Sequence, residues 1–104
     1  MVCVFGRLLR TIMAELFESY AADLKQLHTS AASQIATAQS SGPEERRTAL
    51  RKAQQDADEA DELLGQMDIE VQGFPQSVRA RYAAQVREMR THIDDIMRSI
   101  VCIR

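Results

Sequence analysis

His28 and His92, with the carboxylate of Glu88 four residues before His92, come nearest to a metal-ligand set in this 104-residue chain. A glutamate and a histidine four apart share one helix face and could offer two ligands. Protein zinc sites use three or four ligands, and no further histidine or cysteine stands at ligand spacing. The reading is a surface polar pair, with no metal and no cofactor expected. The acidic run "DADEADE", Asp56 to Glu62, could attract calcium. It lacks the glycine turn and loop ligands of an EF-hand and consists of helix-compatible residues, so it reads as a solvated helix face. The run "RARYAAQVREMR", Arg79 to Arg90, sets a tyrosine among arginines, as nucleic-acid binders do. Tyr82, however, falls on an apolar stripe. Cys3 and Cys102 form no CxxC pair, which points to a reducing compartment. No glycine-rich phosphate loop, no nucleophile with a base and no paired carboxylates can be assembled. The chain is therefore not expected to be an enzyme.

The elements that must carry these residues are helices. Apolar residues make up 45% of the chain and charged residues 27%, with a net charge of −2. That balance suits one soluble domain and favours neither nucleic acid nor an anionic membrane. No apolar run reaches the roughly 18–20 residues of a membrane span. Residues 1–12, "MVCVFGRLLRTI", are apolar and basic and read as a frayed or disordered extension. Beyond them, Met13, Phe17, Tyr20, Leu24, Leu27, Ala31, Ile35 and Ala38 recur every three or four residues, which is one stripe of a helix. Leu50, Ala53, Ala57, Ala60, Leu64, Met67, Val71 and Phe74 form a second stripe whose steps alternate between three and four, a heptad pattern. Val78, Tyr82, Val86, Met89, Ile93, Ile96 and Ile100 form a third.

These stripes predict helices over about 13–40, 43–72 and 76–101. Ser41 with Glu44 has capping-box spacing, and Pro43 suits a first turn. Gly73 is expected to take a left-handed cap, and Pro75 to stop the helix. Each stripe must be buried and both connections are short, so the domain spanning 13–101 is expected to be all-α. Its architecture is an antiparallel, up-down-up three-helix bundle with left-handed, coiled-coil-like packing. The ends of such a bundle lie far apart, so no Cys3–Cys102 disulfide is expected. From Glu44 to Glu70 there are nine acids and four bases, and from Arg79 to Arg104 six bases and three acids. An antiparallel hairpin sets the acidic end of the second helix beside the basic start of the third, which favours this pairing.

Three segments carry a resemblance. "FESYAADL" at Phe17–Leu24, "ADELLGQMDIEV" at Ala60–Val71 and "QSVRARYAAQVREMR" at Gln76–Arg90 make residues 15–100 resemble the N-terminal domain of the Vti-type vesicle SNAREs, a Qb-SNARE family. The resemblance implies a three-helix bundle of the Habc kind and work in transport among Golgi, endosome and vacuole or lysosome, on the cytoplasmic face of those membranes. It also implies partners among epsin-like adaptors, which bind through ENTH domains. The family's SNARE helix and membrane anchor are absent from these residues, so the chain is expected to act as a soluble, isolated domain. Residues 1–12 and the end "VCIR" do not resemble the family. The expected docking face is the groove between the second and third helices, carried by Glu59, Glu62 and Arg87. The rival expectation is a self-associating coiled-coil structural protein; the bundle reading predicts a monomer. Gly65 falls one step off the second stripe, where the family has a polar or acidic residue, and reads as a tolerated surface glycine.

Overall fold

The computed structural model describes residues 2–104, with side chains from Ala14 onward. The first helix begins at Val2, where the stripe places its start near residue 13; the side chains of residues 2–13, and with them the stripe residue Met13 and the pairing of Cys3, lie outside those described. Three helices follow in order: α1 (Val2–Ser40), α2 (Pro43–Gln72) and α3 (Gln76–Ile103). No strand occurs among the described residues. The fold is the all-α three-helix bundle that the stripes predict. Every pair of helices packs together, α1 against α2 most extensively and α1 against α3 least.

The stripes meet in two core clusters of different texture. At the end of the bundle near the α2–α3 turn, Phe17, Leu24, Leu64, Met67, Val71, Phe74, Val86 and Ile93 are buried together. Three aromatic rings close that end. Phe17 lies 4.8 Å from Tyr82 and 6.0 Å from Phe74, and Phe74 lies 4.6 Å from Tyr82. The two Tyr82 contacts are edge-on, the arrangement favoured by the ring quadrupoles. At the other end the core is built from small residues: Ala31, Ala38, Ala49, Ala53 and Ala57, filled out by Ile35, Leu50, Ile96 and Ile100. Alanine on the seam lets helix backbones approach closely, which accounts for the tight α1–α2 contact. The whole second stripe, Leu50 to Phe74, is buried. On the other two stripes Tyr20, Leu27, Val78, Tyr82 and Met89 are only half-buried, because α1 and α3 pack least closely.

The turns differ from their expected chemistry. Gly42 caps α2, in extended backbone (φ −71°, ψ 177°), and no side chain supplies a cap bond. The Ser41 hydroxyl donates instead to the Thr37 carbonyl at 2.6 Å, closing α1. The Arg46 Nε donates to the Ala38 carbonyl at 3.1 Å. With only Ser41 and Gly42 between the helices, Ser41 is still within reach of the last turn of α1, whose free carbonyls need donors. Pro43 takes the first turn of α2 as expected. At the other turn Gly73 is right-handed (φ −83°, ψ −7°), not left-handed. The helix tightens: the Gly73 and Phe74 amides donate to the Glu70 and Val71 carbonyls at 3.1 and 3.0 Å. The Arg79 guanidinium donates to the Phe74 carbonyl at 3.1 Å. Pro75 then ends the run, since it has no amide to donate.

Gly65 lies on the exposed side of α2. A Cβ built there meets no heavy atom within 4 Å. No glycine among the described residues has positive φ. Gly65→Ala is expected to raise stability by about 0.4–1 kcal/mol, through the reduced freedom of the unfolded chain. Urea denaturation measures this, and a loss of stability would refute the open-face placement.

Candidate partner-binding grooves

Three helices create three grooves, and these grooves have different chemistry. Between α1 and α2 runs a groove of about 740 Å³, lined by Asp23, Gln26, Ser30, Asp56, Glu59, Glu62 and Gln66 over half-buried Leu27 and Leu63. Its four carboxylates have no base among the lining residues. The Ser30 hydroxyl donates to Asp56 Oδ2 at 2.6 Å across the groove, holding one carboxylate against α1. The other three carboxylates remain available to a partner. Such a surface suits a basic partner that brings apolar side chains for the floor.

Between α2 and α3 one arginine joins two acids. Arg90 reaches across from α3, 2.9 Å from Asp68 and 3.6 Å from Asp61. These two acids stand seven residues apart, on either side of Gly65, so one guanidinium straddles two turns of α2. All three side chains are 40–61% exposed, so the network contributes at most about 1 kcal/mol to stability. Its larger effect is to align the acidic end of α2 with the basic start of α3.

The three residues expected to form one docking face are therefore separated. Glu59 and Glu62 line the α1–α2 groove, not the α2–α3 groove. Arg87 is exposed on α3 and is not among the residues lining that groove. The cause is the flank of the α2 stripe on which each acid falls. Asp61 and Asp68 lie on the flank that meets α3, while Asp56 and Glu59 lie on the flank that meets α1. A count of charges along α2 does not distinguish the two flanks. Asp23 and Ser30 were missed for a related reason: they matter only beside α2, and nothing in the α1 pattern marks them.

Between α1 and α3 the groove is mostly apolar, about 450 Å³, and is lined by Ala21, Leu24, Lys25, His28, Thr29, Met89, His92 and Ile93. His28 and His92 face one another here, with ring centroids 5.7 Å apart. Sequence spacing pairs His92 with Glu88 on its own helix; the fold gives it His28 as a neighbour. No group of three or more histidine, cysteine, aspartate or glutamate side chains placed to hold a metal occurs among the described residues. Among them, too, no helix is long and apolar enough to cross a membrane.

Three helices packed around one core, with grooves that differ in charge, define an all-α three-helix bundle. The chain belongs to the family described as the vesicle transport v-SNARE protein N-terminus, which it matches over residues 13–101. It is similar to t-SNARE VTI1 of Saccharomyces cerevisiae, at 37% identity over 91 residues, covering 85% of this chain and 42% of that protein. It is also similar to the human and mouse proteins called vesicle transport through interaction with t-SNAREs homolog 1A. Each is 32% identical over 78 residues, covering 75% of this chain and 36% of the relative. The chain thus spans less than half the length of these relatives. No solved structure gives a significant match.

Proposed function

We propose that this chain is the N-terminal regulatory, adaptor-binding domain of a vesicle-transport v-SNARE, serving protein transport and membrane fusion between Golgi, endosome and vacuole or lysosome. The observation that carries this reading is the family match over residues 13–101, which spans all three stripes of the bundle. The role is one of binding, not catalysis. Pairing with t-SNAREs belongs to regions of the relatives that lie outside this match. The domain's own partners are ENTH-domain, epsin-like adaptors, and it works on the cytoplasmic face of the membranes that the whole protein joins. Because its stripes bury one another within one chain, it acts as a monomer, and sedimentation at dilute concentration tests this.

The docking face we favour is the acidic α1–α2 groove, with Glu59 and Glu62 among its exposed charges. Reversing both (Glu59→Lys with Glu62→Lys) is expected to weaken capture by an ENTH-domain adaptor at least tenfold, with faster dissociation at high salt. Arg87→Glu, outside this groove, is expected to leave capture nearly unchanged. A wild-type domain that captures no such adaptor would sink the adaptor role. Capture indifferent to the double reversal would sink only the groove. Both variants change exposed positions and are expected to keep the wild-type thermal midpoint within a few degrees.

A further inference from the structure

His28 on α1 and His92 on α3 meet across a groove, with ring centroids 5.7 Å apart and planes tilted by 47°. Two imidazoles that share one zinc ion, at about 2.0–2.1 Å per bond, have centroids about 5.2 Å apart at the tetrahedral angle and about 6.4 Å apart in line. The observed centroid spacing lies between these limits. His28 is half-buried and His92 exposed, which leaves the pair open to solvent. No ion pair among the described residues involves either imidazole.

We propose that His28 and His92 form a two-histidine site for a zinc-class divalent cation, which would tie α1 to α3 where the bundle packs least closely. Imidazole ligands select zinc, copper and nickel over magnesium and calcium. Among the described residues no third protein ligand completes the set; with water in the remaining positions the affinity falls well short of a structural zinc site. The charges around the pair come from two helices. Lys25 of α1 lines the same groove and opposes a cation. On α3, Glu88 and Asp95 stand one turn before and after His92 and favour one, although Asp95 is 3.6 Å from Arg98. No residue of α2 lines this groove. Both imidazoles must be neutral to bind, so protons compete with the ion.

The test is thermal unfolding of the tag-free protein with zinc chloride, alongside NMR of the imidazole signals. At a tenfold excess of zinc over its dissociation constant, the midpoint is expected to rise by about 5 °C or more at pH 7.5. The rise should vanish with EDTA, at pH 5, and with magnesium in place of zinc. Zinc should move the imidazole signals of both histidines. His92→Gln, at an exposed position, should abolish most of the rise, as should His28→Gln if that variant folds. No rise, a fall, or a rise retained in His92→Gln would overturn the site, the last by placing the ion on Cys102 or an acidic face. Movement of only one imidazole's signals would overturn it as well.

Discussion

Phe17→Ala is expected to lower the unfolding free energy by about 3–5 kcal/mol, the usual cost of removing a buried aromatic ring. Phe17 is 1% exposed and touches both other rings that close the large-residue end of the bundle. Its loss leaves a void among Phe74, Tyr82, Leu64 and Met67, side chains held by three different elements that cannot all move in to fill it. A single domain of this size has only about 5–15 kcal/mol of stability, so the variant is expected to be marginal or unfolded at 37 °C. Phe17→Leu keeps much of the volume and should lose markedly less. Urea denaturation of the two variants side by side checks this. Equal, small losses would mean that the aromatic cluster adds little to the fold.

The second large effect runs in the opposite direction of size. Ala53 is fully buried at the small-residue end, in a cluster with Ala31, Ala38, Ala49 and Ala57. Ala53→Leu is expected to cost about 1–3 kcal/mol, and more if α1 and α2 are forced apart, because added carbon atoms have no void to enter. A methyl group added at Gly65, where nothing lies within 4 Å of a Cβ, is expected to stabilise instead. Thermal midpoints separate the two positions. An Ala53→Leu variant as stable as the parent would show that the alanine seam is loosely packed.

These contrasts mark how far the sequence could be read. The α2 stripe was legible in full, since its alternating steps of three and four leave one face for burial and all eight residues are buried. The stop at Gln72 was legible from Pro75, although the backbone of Gly73 was not. A proline past the first turn of a helix has no amide for the helical bond, whereas glycine permits a left-handed cap without requiring one. Ser41 shows the same limit. Its spacing to Glu44 matches a capping box, but a two-residue linker left it closer to the carbonyls of α1 than to the amides of α2.

The candidate site was legible in part. The carboxylates of Glu59 and Glu62 were visible as exposed charges in the acidic run, yet the groove they belong to was not. Asp61 lies between them in sequence and answers to Arg90 of α3, while its two neighbours line the groove with α1. Successive residues on a helix point about 100° apart, so one acidic run serves two grooves. His28 and His92 stand 64 residues apart in the sequence and carry no mark of each other.

By itself the sequence determined the three helices, their buried faces, their alternating directions and the family to which they belong. All of these follow from periodicity along one chain, short connections and residues matched in order. Only the tertiary structure decided which flank of each helix meets which neighbour. That choice set the acidic groove of Asp23, Asp56, Glu59 and Glu62 apart from Arg87, gave Arg90 its two aspartates and brought the two histidines together. Helical periodicity names the face that must be buried; it carries no term for which of two neighbouring helices lies to its left and which to its right.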